Sequence, residues 1–346
     1  MSEIRVGLIG YGTAGAFFHA PLVAATPGLR LAAVVTRDAG RAAEVAARYG
    51  AEAVPGVDEL WPRCDLVVVA SPNRTHVALA TEALGQGLPV VIDKPAARTA
   101  EEARGLVRLA EERGLMLTVF QNRRWDGDFR TVRRLVAEGA LGEVRRFESR
   151  FERWRPVPKG GWREAGGPED VAGLLYDLGS HLVDQALLLL GPVREVYCES
   201  DVRRAGVAAD DDTFVALTHE SGARSHLWVS SVAALSGPRL RVLGSAGAYV
   251  KYGMDVQEER LRAGRSPGEP GFGVEDDGRW GLLGTDAEQR PVPTEPGSYL
   301  DFYVGVEAAL REGTPPPVDP AGSIDTLAVI EAARRSATER TVVSLP

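Results

Sequence analysis

Residues Ile4–Ile9 form a short run of branched apolar residues, IRVGLI, that ends directly in Gly10-Tyr11-Gly12-Thr13-Ala14-Gly15, and a helix-like stretch follows through Val23. Strand, glycine-spaced turn and helix in that order are the opening of a dinucleotide-binding βαβ unit. Each glycine has its own reason. Gly10 permits the tight turn, Gly12 lets backbone approach a pyrophosphate, and Gly15 lets the helix pack close to the strand. The helix N-terminus then offers unpaired N–H groups and the positive end of its dipole to the phosphates. Tyr11, Thr13 and Ala14 complete the loop and are read with it as cofactor-binding. A glycine-rich turn without a ligand is the competing reading, and the pattern that follows disfavours it.

A second apolar run, Leu29–Val35, precedes the alanine-rich segment Ala39–Tyr49, with Gly50 placed to end a helix. Strand candidates recur at residues 66–70 (LVVVA), 89–92 (PVVI) and 115–120 (LMLTVF), separated by helical stretches at 75–84 and 99–113. This alternation predicts a doubly wound parallel sheet, a Rossmann domain, over residues 1–122. The remainder, 123–346, reads differently. A helix at 128–138 and a strand at 144–151 lead into a Gly/Pro-containing stretch at 156–168. A helix at 174–190 stops at Gly191-Pro192, and strand-like runs follow at 193–201, 213–218, 224–232 and 240–243. Successive strands without intervening helices imply a mainly antiparallel sheet. Residues 264–296 read as loop-dominated, with helices at 299–311 and 324–339. The expected class is thus α/β, in two domains, which also suits a length of 346 residues.

Composition narrows the ligand class. With 48 acidic against 40 basic residues the net charge is -8, which gives no electrostatic reason to expect nucleic acid. Small molecules are the default. The two cysteines, Cys64 and Cys198, lie far apart and form no CxxC or Cys/His pattern, so neither a disulfide framework nor a metal site is expected. No apolar run approaches the roughly 20 residues of a membrane span. No membrane partner is expected, and the location expected is cytoplasmic.

The second strand ends in Val35-Thr36-Arg37-Asp38. An NAD-preferring site usually carries a carboxylate here to bind the ribose 2′-hydroxyl, whereas a hydroxyl and a guanidinium suit a 2′-phosphate. Thr36 and Arg37 therefore favour NADP(H). NAD(H) stays open, because a shift of one residue would place Asp38 at the ribose. Two further clusters follow strands: Ser71-Pro72-Asn73-Arg74-Thr75-His76 and Asp93-Lys94-Pro95. Ligands of open α/β sheets bind at such carboxyl ends. An ammonium there can stabilise alkoxide character on a substrate oxygen, although a lone lysine is more often a surface charge and His76 more often a helix start.

Asp177, His181 and Asp184 are spaced four and three apart and would share one helix face. An imidazole beside a carboxylate suits a general base that accepts a hydroxyl proton. A helix-surface ion pair competes evenly with that reading; a metal site is weaker, because no HxH or HExxH pattern accompanies it.

Together the glycine loop, SPNRTH at 71–76, DKP at 93–95, QNRRWD at 121–126 and DLGSHLVDQ at 177–185 resemble the Gfo/Idh/MocA oxidoreductase family, in the family's order and over essentially the whole chain. FHAPL at 18–22, RWRP at 153–156 and YVKYGMDVQEERL at 249–261 resemble its branch of NADP-dependent scyllo-inositol dehydrogenases. The resemblance implies a Rossmann domain followed by an α/β domain whose open, mainly antiparallel sheet mediates homodimer or homotetramer formation. It implies a catalytic set of Lys94, Asp177 and His181, in which His181 exchanges the hydroxyl proton, Lys94 polarises the oxygen and Asp177 orients the site. Asp93 stands where the family usually has Glu. Ser71, Pro72, Asn73, His76, Asp93, Lys94 and Asn122 are implied as cofactor contacts, and Arg123, Arg153, Arg155, Trp162 and Tyr176 as substrate contacts. For the arginines, structural ion pairing is an equal alternative. The activity implied is reversible oxidation of a secondary hydroxyl on an inositol or sugar-like polyol. NAD-dependent glycoside hydrolysis by transient oxidation and a non-catalytic dinucleotide sensor are the alternatives.

Overall fold

The computed structural model describes residues 2–161, 164, 166 and 170–346. They form two compact units, each assembled from separate stretches: Met1–Trp125 with Gln257–Gly273 and Ser298–Ile324, and Asp126–Val256 with Val274–Gly297 and Asp325–Pro346. Relative to a single boundary at 122/123, this division adds residues 123–125 and two later stretches to the first unit. Their apolar side chains explain the return. Leu261, Phe272, Phe302, Tyr303 and Val306 are buried in the same core as Val6, Leu8 and Val68.

The first unit carries a six-stranded parallel sheet in the order β3-β2-β1-β4-β5-β6, where β1 is Ile4–Ile9, β2 Leu29–Val35, β3 Glu52–Val54, β4 Leu66–Val69, β5 Val90–Asp93 and β6 Leu117–Phe120. Every residue of β4 and β6 is buried, as expected when helices cover both faces of a parallel sheet. Alternate residues feed two cores, Val68 on one face and Val67 and Val69 on the other. The doubly wound sheet is therefore as expected. The edge strand β3 was not anticipated; three residues show no alternation to read. The helix Ala39–Tyr49 is capped by Asp38 at its start and ended by Gly50 in the left-handed region.

The second unit carries a nine-stranded sheet, β14-β13-β12-β11-β7-β10-β9-β8-β15. Its central strands are β7 (Val144–Glu152), β8 (Val193–Asp201), β9 (Asp212–His219), β10 (Arg224–Ser230) and β11 (Leu240–Gly244). The sheet is antiparallel throughout except that β7 and β10 run parallel. Short strands extend both ends: β12 (Ala248–Lys251), β13 (Gly281–Gly284), β14 (Gln289–Val292) and β15 (Val343–Ser344). Two of these lie inside the segment 264–296 that reads as loop. Gly281, Gly284 and Pro291 hide them in sequence, and Pro291 is tolerated because β14 is an edge strand. Among the described residues no helix is long and apolar enough to cross a membrane.

Candidate active site

Strand order in the first sheet reverses between β1 and β4, and the loops that leave their carboxyl ends meet there. Gly10 has φ +101°, and a Cβ on it would lie 2.6 Å from the carbonyl oxygen of Ala70. A Cβ on Gly15 would overlap the carbonyl oxygen of Gly10, whereas one on Gly12 would meet nothing within 4 Å. Gly10 and Gly15 are thus required by the protein's own packing. Gly12 leaves an open approach to backbone at a helix start, which fits a dinucleotide pyrophosphate. The side chain of Tyr11 turns inward instead: it is buried, donates a hydrogen bond of 3.1 Å to Glu44, and burial raises its pKa.

The helix after the loop begins with a π-helical turn, Gly15–His19, in which the Ala20 N–H reaches back to the Gly15 carbonyl. Such widened turns cluster at functional sites. At the end of β2 the Asp38 carboxylate accepts the Arg41 N–H at 2.8 Å as the cap of the next helix, and the Thr36 hydroxyl accepts the Asp38 N–H at 3.3 Å. Arg37 is exposed and donates through Nε to the Pro55 carbonyl at 3.0 Å. Asp38 is therefore committed to its helix, while Thr36 and Arg37 stand at the strand end.

After β4, the Ser71 hydroxyl is 2.7 Å from that of Thr75, which donates to the Pro72 carbonyl at 2.7 Å, and Asn73 is buried. His76 is buried completely. Its Nδ1 lies 2.9 Å from the Pro95 carbonyl and its Nε2 2.9 Å from the Ser71 carbonyl. The ring thus sits between the loop after β4 and the loop after β5, where its N–H can donate to one of the two carbonyls. Asp93 ends β5 and accepts the Lys94 N–H at 2.8 Å; the Lys94-Pro95 peptide is cis. Asn122, buried after β6, opens the 3-10 turn Asn122–Trp125.

Arg123 sits in the same turn. It is buried, donates to the Tyr299 hydroxyl at 2.9 Å and pairs with Glu258. This geometry favours the ion-pair reading of Arg123 over substrate contact. Glu258 and Tyr299 lie far away in sequence, and no local pattern marks them as its partners.

In the second unit the helix expected at 174–190 is a π-helical turn, Leu175–Gly179, continued by the α-helix Ser180–Leu190. Its start is fixed by Asp210, whose carboxylate accepts the Leu175 N–H at 2.7 Å and the Thr213 hydroxyl at 3.2 Å. A side chain on Gly173, at φ +97°, would overlap that carboxylate. Burial raises the pKa of Asp210 against these hydrogen bonds. Asp177 is half-buried on the turn, while His181 and Asp184 are buried. The His181 ring lies 6.4 Å from that of Phe151.

Tyr176 is buried, and its hydroxyl accepts from Arg334 at 3.4 Å. Arg153 and Arg155 continue the line of β7, where their N–H groups donate to the carbonyls of Ser230 at 2.9 Å and Ser231 at 2.8 Å. Trp162 lies outside the described residues. Among the described residues no group of three His, Cys, Asp or Glu side chains is placed to hold a metal ion.

A parallel sheet with a glycine loop open at its switch point defines a Rossmann-type nucleotide-binding protein. Residues 4–121 match the family described as the oxidoreductase family with an NAD-binding Rossmann fold, and residues 129–250 match the GFO/IDH/MocA C-terminal domain. The chain belongs to the Gfo/Idh/MocA oxidoreductases. It is 43% identical over 315 residues to the uncharacterized oxidoreductase YdgJ of Escherichia coli, covering 89% of each chain. It is 35% identical over 321 residues to the NADP(+)-dependent scyllo-inositol 2-dehydrogenase IolW of Bacillus subtilis, covering 90% of this chain and 88% of that one. Among solved structures, the oxidoreductase yvaA of Bacillus subtilis superposes with a TM-score of 0.94 at 33% identity, covering 100% of this chain and 99% of the other.

Proposed function

We propose that this oxidoreductase transfers hydride reversibly between NADP(H) and a secondary hydroxyl of an inositol or related polyol. The observation that carries the reading is the shared carboxyl edge of the first sheet: the open backbone at Gly12 follows β1, and Lys94 follows β5. The open loop would hold the pyrophosphate. Thr36 and Arg37 would receive the 2′-phosphate, a role supported by the capping duty that occupies Asp38. The likeness to an NADP(+)-dependent scyllo-inositol dehydrogenase supports both cofactor and substrate class. NAD(H) is the second cofactor to be compared.

A bound nicotinamide would supply or accept the hydride at the carbinol carbon. Lys94 holds the oxygen on that carbon and stabilises the negative charge it develops. His181 takes the hydroxyl proton as the hydride leaves, and returns it in the reverse direction. Asp177 orients the site. Arg153 and Arg155 can grip polyol hydroxyls with planar, multidentate donors. A homodimer or homotetramer is part of the proposal, checked by light scattering. The reading as a whole is tested by screening polyols and keto-sugars for changes in reduced-cofactor absorbance with NADPH and NADH. Turnover of a polyol with a preference for NADPH is expected. A clear preference for NADH would overturn the cofactor assignment, and activity on imines or aryl diols alone would overturn the substrate class.

A further inference from the structure

His19 closes the π-helical turn after the glycine loop, and its side chain is wholly buried. The ring is caged by Phe120, with centroids 4.4 Å apart, and meets Tyr303 edge-on at 6.1 Å. Its Nδ1 lies 2.6 Å from the Tyr303 hydroxyl. Its Nε2 has no hydrogen-bond partner and faces Oδ1 of Asp93 at 3.9 Å. A histidine held only for packing would not leave a buried ring nitrogen aimed at a carboxylate, since an unsatisfied buried polar group is costly.

The tautomer follows from the neighbours. Burial keeps Tyr303 a neutral phenol, and its hydrogen-bond partner among the described residues is His19. If Nδ1 carried the proton, the phenol O–H would be left without an acceptor, and an Nε2 lone pair would face a carboxylate. If the phenol donates to Nδ1, the phenol is satisfied and the Nε2 proton points at the Asp93 carboxylate, an electrostatic contact at 3.9 Å. The same Asp93 oxygen accepts the Lys94 N–H at 2.8 Å.

We propose that His19 is a positioning residue for Lys94: with the ring clamped by Tyr303, the Nε2–H faces the Asp93 carboxylate and biases it electrostatically, and through it the loop from which Lys94 projects. The inference rests on the reading of Lys94 as the residue that holds the reacting oxygen.

The test uses the whole chain and three variants, His19→Phe, Tyr303→Phe and Asp93→Asn, alone and combined. Tyr303→Phe removes a single hydroxyl and serves if His19→Phe does not fold, as judged by circular dichroism. Nitrogen NMR of the histidine rings should show His19 protonated on Nε2; protonation on Nδ1 would overturn the proposal. Trinitrobenzenesulfonate labelling followed by peptide mass spectrometry reads Lys94 without any substrate. Loss of the His19 ring nitrogens or the Tyr303 hydroxyl should change the Lys94 labelling rate by about threefold or more, the low end of coupling between residues in contact, while exposed Lys159 is unaffected.

In an Asp93→Asn background, adding His19→Phe should change the Lys94 rate no further. An unchanged rate in the single variants, or additive effects in the double, would overturn it. In turnover, His19→Phe and Tyr303→Phe should each lower kcat about tenfold, as small displacements of a catalytic group do, with KM for NADP+ unchanged. If Lys94→Ala retained full activity, the reading of Lys94 would fail whatever the labelling shows. If Lys94→Ala were inactive and the His19 variants labelled and turned over normally, only this inference would fall.

Discussion

A Cβ on Gly15 would overlap the carbonyl oxygen of Gly10, so the two glycines are locked to each other by the geometry of the first turn. Gly15→Ala should therefore lower stability by roughly 1–3 kcal/mol, the usual cost of overpacking, and weaken NADPH binding with it. Gly12→Ala meets no such obstacle and should leave the melting temperature nearly unchanged while still weakening NADPH binding, because the methyl group occupies the pyrophosphate approach. Thermal unfolding and cofactor titration separate the two. Equal destabilisation by both substitutions would contradict the account.

Asp38 is a helix cap. Asp38→Ala should cost about 1 kcal/mol of stability and leave the ratio of NADPH to NADH affinity within about a factor of two. Thr36→Glu should shift that ratio toward NADH by about tenfold or more, since a carboxylate repels the 2′-phosphate and binds the ribose hydroxyls. A large loss of NADH binding in Asp38→Ala would instead place Asp38 on the ribose.

His19 makes acid sensitivity predictable. Burial holds its pKa at about 4 against an ordinary 6.5, with Asp93 opposing the shift and His76 reinforcing it. A base whose folded pKa is depressed contributes fully above the unfolded value, and that contribution is lost as pH falls from 6.5 toward about 4. The loss should amount to about 3 kcal/mol. Urea unfolding over this range should show wild type losing that much more stability than His19→Phe. Parallel losses in the two proteins would mean that His19 does not titrate as its burial dictates.

Gly173 should tolerate no side chain. Gly173→Ala combines a positive φ with overlap of the Asp210 carboxylate, and should destabilise by roughly 2–3 kcal/mol. Because Asp210 holds the start of the turn that carries Asp177, turnover should fall while NADPH binding in the first unit persists. Loss of NADPH binding with intact turnover geometry would argue against this division of labour.

The first sheet was legible almost strand by strand, because parallel strands buried on both faces read as continuous apolar runs punctuated by helices. The glycine loop was legible for the same local reason. What escaped were features set at long range. Glu258 and Tyr299 reach Arg123 from segments that rejoin the first unit late in the chain. Asp210 reaches the turn at Leu175 from the end of a loop. The setting of His76 includes a carbonyl beyond the next strand. His19 stood in plain view within FHAPL, yet only the fold brings Tyr303 and Asp93 to its two nitrogens. The edge strands β13 and β14 escaped because glycine and proline, which usually mark turns, occupy them.

Lys94→Ala and His181→Ala should each lower kcat about 100-fold or more while NADPH still binds. Near-full activity in either variant would remove that residue from the mechanism.

The most direct measurement follows the hydride itself. scyllo-Inositol and a panel of related polyols, each deuterated at the reacting carbon, are incubated with the enzyme and NADP+, and the nicotinamide is analysed by mass spectrometry. Deuterium is expected on the reduced nicotinamide from at least one polyol, with the rate of transfer about 100-fold lower or more in Lys94→Ala. No transfer from any polyol, alongside turnover of an imine or an aryl diol, would contradict it.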